Sequence, residues 1–139
     1  MKKLITLFFC ISFLTSFSQK SKLFKVEHSK APYHYWCYEP ENYSTYKDSA
    51  WPVIVFLHGR SLSGTDLEIV RSYGLVHELD KGRSFPALII APQVKKGESW
   101  EPAKVVACIR ELQKTHSVDT TRISITGMSL GGYGTLHTA

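Results

Sequence analysis

The strongest chemical signal in the sequence is a serine flanked by glycines near its carboxyl end. Residues 125–135 read ITGMSLGGYGT, in which Gly127, Ser129 and Gly131 have the spacing of a nucleophilic serine on a tight strand-to-helix turn. A buried strand is predicted before this turn, and a helix is predicted from Leu130. The alternative is a serine that only caps the helix before a glycine-rich turn. We expect Ser129 to attack a carbonyl carbon in acyl transfer.

The pair His58-Gly59 follows an earlier apolar run and also fits acyl transfer. The carbonyl oxygen becomes negatively charged when a nucleophile attacks, and backbone N–H groups can stabilise it. The residue after the nucleophile, Leu130, is expected to supply one N–H group. The loop after the earlier run supplies the other, with Arg60 as first choice and Gly59 or Ser61 as alternatives. His58 itself is predicted to be a structural loop residue rather than a base.

Continuous apolar runs alternate with amphipathic stretches along the chain. Such runs are typical of strands buried on both faces, as in a parallel sheet covered by helices. Thr65 and Glu68 have the spacing of a capping box, and Pro102 suits the first turn of a helix. The pattern predicts an α/β fold with a mostly parallel sheet and helices on both faces. The predicted strands are 23–27, 33–38, 52–57, 87–91 and 122–126. The predicted helices are 65–80, for which Gly74 is a candidate interruption, 102–116 and a third from residue 130.

Two residues near the end of the strand 87–91 are candidates for a substrate pocket. Gln93 and Trp100 would line the acyl or leaving-group side, and an equally good interpretation is a polar loop residue and a covering aromatic. No His or Cys residues have metal-ligand spacing, so neither a metal site nor a cofactor is predicted. Cys108 lies on the apolar stripe of its predicted helix and is expected to be a buried structural thiol.

These motifs together resemble the N-terminal half of the α/β-hydrolase fold. The resemblance is carried by PVIVFLHG, SGTDLE, FPALIIAPQ, VDTTRISITG and GMSLGGYGT, and it covers Phe24 to Ala139. It is closest to the secreted esterase-like and peptidase-like branch of dienelactone hydrolases, prolyl oligopeptidases and phospholipase/carboxylesterases. Where such relatives often have a small or glycine-rich loop after His-Gly, this chain has Arg60-Ser61-Leu62. The resemblance implies a secreted serine hydrolase with a small ester or peptide substrate, and it does not distinguish between these substrates.

The acid and base of a serine hydrolase are missing from the sequence. A serine hydroxyl needs a neighbouring base that an acid orients, and in this fold both follow the serine in the chain. The ten residues after Ser129 contain His137 and no acid. His137 lies about 12 Å further along the predicted helix and is expected to be out of reach. The catalytic Asp and His are therefore expected beyond Ala139, which makes the chain an inactive, truncated part of a longer hydrolase.

The resemblance also implies that the strand 122–126 is central in a complete domain. In the 139-residue chain, that strand would be an exposed apolar edge, and such edges pair with other chains. We therefore expect an isolated protein of residues 19–139 to be poorly soluble or only partly folded.

Two alternatives to the enzyme follow from the same residues. One is a non-catalytic binding protein that retains part of the hydrolase fold without its base. The other is a nucleotide-binding α/β protein, because Ser129-x-Gly131-x-x-Gly134 imitates a dinucleotide fingerprint. That fingerprint lacks its first glycine here and needs an acidic residue about 20 positions further on.

The start of the chain has the pattern of a bacterial secretory signal peptide, residues 1–18. Two lysines precede the apolar run 4–17, and the small residues Ser16 and Ser18 suit a cleavage after residue 18. The alternative is an uncleaved anchor, for which the run is short. We expect a secreted or periplasmic protein with one partial domain, 19–139, and no stable membrane span after cleavage.

The charges give no sign of a nucleic-acid partner. The sequence has 17 Lys and Arg residues against 12 Asp and Glu residues, a formal net charge of +5. Nucleic-acid binding needs a clustered basic face, whereas no basic run here exceeds two residues. The excess charge is therefore interpreted as an ordinary solvated surface, and the oligomeric state is left open.

Overall fold

The apolar runs of the sequence lie side by side in one sheet. The computed structural model describes residues 20–139, so the predicted signal peptide lies outside the described residues. The five strands are β1 (Lys22–Val26), β2 (Tyr35–Glu39), β3 (Trp51–Leu57), β4 (Leu88–Pro92) and β5 (Val118–Gly127). Their order in the sheet is β1-β2-β4-β3-β5.

The sheet is mixed rather than mostly parallel. β3 pairs in parallel with β4 and with β5, whereas β2 is antiparallel to both β1 and β4. The loop 27–34 between β1 and β2 is too short for a parallel crossover, which needs a dozen or more residues. From β3 onward, each strand is connected to the next by helical segments and runs in the same direction. The predicted α/β fold class is confirmed.

Helices cover both faces of the sheet, as predicted. The helical segments are two 3₁₀ segments, Arg60–Leu62 and Leu67–Ser72, and the helices α1 (Leu75–Asp80), α2 (Pro102–Gln113) and α3 (Leu130–Thr138). Side chains alternate between the faces of a strand, so Val53, Val55 and Leu57 of β3 pack in the layer of α2. Phe56 packs on the other face with the second 3₁₀ segment and α1. In the described part of the chain, no helix is long and apolar enough to cross a membrane.

The helix predicted over 65–80 is interrupted at Gly74, as the sequence allows, and its first part is a 3₁₀ segment. Asp66 rather than Thr65 caps the 3₁₀ segment, because its carboxylate accepts a hydrogen bond from the N–H of Glu68 at 3.0 Å. The segment ends before Gly74, whose φ of +80° lies in the left-handed region that favours glycine. The chain then turns into the short helix α1. The reciprocal capping box therefore does not start a long helix here.

β5 is longer and less buried than predicted. The sequence predicts a turn over 118–121 and a buried strand over 122–126, whereas the strand covers both ranges. Ile123 and Ile125 are half-buried against the layer of α2, and the residues that alternate with them are exposed. β5 is the last strand of the sheet, and within residues 20–139 no strand pairs with its outer edge. It therefore has the alternation of a strand covered on one face.

Both cysteines of the described chain are buried free thiols, as predicted for Cys108. Burial raises the pKa of Cys37 to about 12 and that of Cys108 to about 11. Near neutral pH both are therefore uncharged, and they act as small apolar residues of the core.

The open edge of β5 gives a first prediction. We expect the protein of residues 19–139 to form concentration-dependent oligomers in sedimentation velocity, because unpaired strand edges recruit other strands. Ser124→Lys places a charge on this strand at an exposed position and should shift the population toward the monomer. A cooperative thermal melt of a monomeric, unaltered protein would contradict this prediction.

Candidate active site

Ser129 lies on the turn between β5 and α3 in a strained conformation. Its φ is 55° and its ψ is −118°, and Ser129 is one of two non-glycine residues with positive φ in the described chain. Such a conformation costs about 1–3 kcal/mol and persists only where the surrounding structure enforces it. The residue is exposed. This is the geometry of a serine held on a tight turn with its hydroxyl free to react.

Glycines around the serine allow α3 to begin directly against β3. A Cβ on Gly131 would lie 1.8 Å from the carbonyl oxygen of Leu57, and a Cβ on Gly127 would lie 2.3 Å from the carbonyl oxygen of Gly131. One turn later, a Cβ on Gly134 would lie 2.7 Å from the Cβ of Trp100. No side chain fits at these three positions, so the glycine pattern of the motif follows from this close packing.

The loop after β3 lies beside the serine. The position of a Cβ on the buried Gly59 is 3.4 Å from the Cβ of Ser129 and 3.3 Å from the carbonyl oxygen of Met128. The 3₁₀ segment begins at Arg60, and α3 begins at Leu130. The N–H group that opens a helical segment has no acceptor within that segment. The structure therefore brings the two predicted oxyanion donors, Arg60 and Leu130, to the two elements that flank Ser129.

The His58 side chain anchors the loop that follows β3 through hydrogen bonds to the backbone. It is fully buried, and the N–H of Val94 donates to Nε2 at 3.3 Å. Because Nε2 is an acceptor, the proton of the neutral ring is on Nδ1, which donates to the carbonyl oxygen of Gly59 at 2.7 Å. Burial lowers the pKa of His58, and the hydrogen bond with Gly59 opposes this only in part. Both ring nitrogens are engaged with the backbone, in agreement with a structural role.

Gln93 and Trp100 also bind the backbone of these loops. The Gln93 side-chain amide donates to the carbonyl oxygens of Leu62 and Asp66, both at 2.9 Å. Gln93 also lines a cavity of about 320 Å³ beyond the end of β4, together with Lys95 and other loop residues. The indole of Trp100 is buried and donates to the carbonyl oxygen of His58 at 3.1 Å. Its contact with Gly134 places it under α3, as a covering aromatic.

The histidines of residues 20–139 form no hydrogen bond with Ser129. His137 is exposed on the last turn of α3, where its ring packs on Tyr133 with centroids 4.2 Å apart. His116 lies 3.3 Å from Glu39, at the opposite end of the strands, and His77 contacts the backbone of Arg71. These three histidines thus have other neighbours than the serine. Among the described residues, Ser129 and the candidate oxyanion donors have no histidine hydrogen-bonded to them.

Sequence reasoning missed one residue beside the serine. The hydroxyl of Tyr73 lies 3.2 Å from the Cβ position of Gly59 and 2.5 Å from the Ser61 hydroxyl. Tyr73 follows the second 3₁₀ segment, directly before the interruption at Gly74. No local motif of the sequence includes it, because its contact with Ser61 joins two separate loops.

Solved structures with a similar fold include esterases and a dipeptidyl peptidase. A thermostable esterase is 24% identical with a TM-score of 0.56, over 83% of this chain and 36% of its own. A ferulic acid esterase is 18% identical with a TM-score of 0.62, over 84% of this chain and 54% of its own. The dipeptidyl peptidase 4 of Porphyromonas gingivalis is 16% identical with a TM-score of 0.55, over 87% of this chain and 19% of its own.

At these identities the likeness shows the fold, which is hydrolase-like. No protein-family model matches the chain, and no curated protein matches it either. The chain spans only 36% and 54% of the two esterases.

The packing of α3 on β3 gives a second prediction, with a control at the next residue of the same helix. Gly131→Ala should lower the free energy of unfolding by roughly 3 kcal/mol, because the methyl group has no space and the backbone must move. Gly132→Ala adds a methyl group at an ordinary contact distance of 3.6 Å from the carbonyl oxygen of Gly127. It should be neutral or stabilising, since alanine suits a helix better than glycine. Equal losses in urea unfolding would contradict the packing argument.

Burial of His58 gives a third prediction, on pH. Its folded pKa lies below the unfolded value of about 6.5, so the unfolded chain binds a proton first as the pH falls. The stability that the neutral ring contributes is fully present above about pH 6.5 and is lost progressively below it. In urea unfolding, His58→Asn should be less stable than wild type near neutral pH, and should lose less on acidification. An equally steep loss in both proteins would show that His58 does not carry this pH dependence.

Proposed function

We propose that the protein is a secreted serine hydrolase in which Ser129 is the nucleophile. The observation that carries the proposal is the strained backbone of Ser129, at a strand-to-helix turn packed against the Gly59 loop. The likeness to solved esterases and a dipeptidyl peptidase supports acyl transfer to an ester or a peptide. The predicted signal peptide, residues 1–18, supports a secreted or periplasmic location.

The proposed reaction follows from the positions of the groups. The Ser129 oxygen attacks the substrate carbonyl carbon while a base takes the hydroxyl proton, and the carbonyl oxygen becomes an oxyanion. The N–H groups of Leu130 and Arg60 donate hydrogen bonds to it. The carbon–oxygen or carbon–nitrogen bond then breaks, and the leaving group takes the proton. Water attacks the acyl-enzyme in the same way and releases the acid.

The base and its acid are proposed to come from residues outside the 139 given. Two observations support this: no histidine of residues 20–139 is hydrogen-bonded to Ser129, and the chain spans about a third to a half of the esterases with a similar fold. The 139-residue chain alone is therefore proposed to be inactive. A non-catalytic binding protein is the second candidate function, and the same lack of a base favours it.

A reactivity test decides between the two functions and forms the fourth prediction. The probe is a fluorophosphonate, which labels only an activated serine. The protein extended by the downstream coding sequence should be labelled, and Ser129→Ala should abolish the label. Ser124→Ala, which removes an exposed hydroxyl on the neighbouring strand, should keep it.

The 139-residue chain should react at least about 100-fold more slowly than the extended protein, since a serine without its base is a weak nucleophile. Equal labelling of the two proteins would place the base inside residues 1–139. Absence of labelling in the extended protein would favour the binding protein.

A further inference from the structure

A hydrogen bond between Ser61 and Tyr73 joins two loops beside the nucleophile. The two hydroxyl oxygens are 2.5 Å apart. Ser61 belongs to the 3₁₀ segment after β3, and Tyr73 ends the second 3₁₀ segment. The Tyr73 hydroxyl and the Cβ of Ser129 are 3.2 Å and 3.4 Å from the same point, the Cβ position of Gly59. The pair therefore lies at the serine and not at a remote surface.

The backbone that carries Tyr73 is fixed by packing on β3. At the next residue, Gly74, φ is +80° and a Cβ would lie 2.4 Å from the ring of Phe56. The two residues Val70 and Val76, on either side of this break, are fully buried. The Cα of Tyr73 is therefore held in place by its neighbours, and the hydrogen bond with Ser61 orients its hydroxyl.

The 3₁₀ segment is held on its inner side by other residues. The carbonyl oxygen of Gly59 accepts from His58, and the carbonyl oxygen of Leu62 accepts from Gln93. Arg60 and Ser61 between them are exposed. The Tyr73 hydroxyl binds this outer part through the Ser61 side chain. The backbone N–H of Arg60, one residue before Ser61, therefore belongs to a segment that is bonded on both sides. Buried side chains bind its carbonyl oxygens, and Tyr73 binds the Ser61 hydroxyl.

We propose that Ser61 and Tyr73 form a positioning pair for the oxyanion donor at Arg60. This rests on the proposed function, since an oxyanion donor matters only if Ser129 attacks a carbonyl group. The hydrogen bond fixes the direction of the Arg60 N–H toward the oxygen that becomes charged. A donor with a fixed direction stabilises the transition state more than the bound substrate, so its loosening lowers kcat and leaves KM nearly unchanged.

The fifth prediction is tested by steady-state kinetics on the extended protein with a chromogenic short-chain ester. Tyr73→Phe and Ser61→Ala each remove one partner, and each should lower kcat about tenfold with KM within about twofold. The double variant should be no slower than either single variant, because both remove the same hydrogen bond. Tyr46→Phe is the matched control: its phenol is exposed and lies near the start of β3, and kcat should not change.

The outcomes separate this proposal from the proposed function. Unchanged kcat in Tyr73→Phe and Ser61→Ala, with an active wild type, would overturn the positioning pair alone. Additive losses in the double variant would also overturn it, because each residue would then act separately on the substrate. A wild type that neither hydrolyses esters nor reacts with the fluorophosphonate overturns the proposed function and this inference with it. Ser61→Ala alters an exposed side chain, so it provides a readout even where Tyr73→Phe folds poorly.

Discussion

The contact between the start of α3 and the end of β3 is the constraint on which the site depends. The backbone of Gly131 faces the carbonyl oxygen of Leu57 so closely that a methyl group would lie 1.8 Å from it. The same carbonyl oxygen accepts a hydrogen bond from the N–H of Met128 at 3.2 Å. The chain must therefore change from strand to helix within two residues. The positive φ of Ser129 is the result, and the burial of the surrounding backbone offsets its cost.

The same contact explains why polar side chains are buried beneath the site. α3 covers the end of β3, so the loop that follows β3 has buried backbone groups that need partners. His58, Gln93 and Trp100 supply them through hydrogen bonds to the carbonyl oxygens of Gly59, Leu62 and His58. The polar atoms of these side chains are thus bonded to the loop backbone. They hold in place the loop that begins with Arg60, the proposed oxyanion donor.

Local patterns in the sequence predict the framework well. The apolar runs place β3 and β4, and the spacing of Gly127, Ser129 and Gly131 predicts a turn whose strained serine the structure describes. The errors have a common cause, since each depends on distant residues. The capping box at Thr65 is replaced by an Asp66 cap, and the interruption that the sequence allows at Gly74 lies where a Cβ would be 2.4 Å from the ring of Phe56. The burial of β5 depends on its position in the sheet order, which periodicity does not contain. The contact of Tyr73 with Ser61 likewise joins residues 12 positions apart, which no local pattern contains.

The backbone conformation of Ser129 does not depend on the presence of a catalytic base. Ser129 is held by backbone packing, and the proposed oxyanion donors are held by buried hydrogen bonds, so neither requires a histidine. In serine hydrolases, the oxyanion site and substrate binding retain a rate enhancement of about 10³–10⁴ over water without the catalytic residues. Under the proposed function, a chain with this turn and no base would still bind a tetrahedral oxyanion at the N–H groups of Arg60 and Leu130. The contacts of residues 20–139 are therefore compatible with a serine hydrolase and with a binding protein of the same fold, which would differ in whether a base reaches the Ser129 hydroxyl.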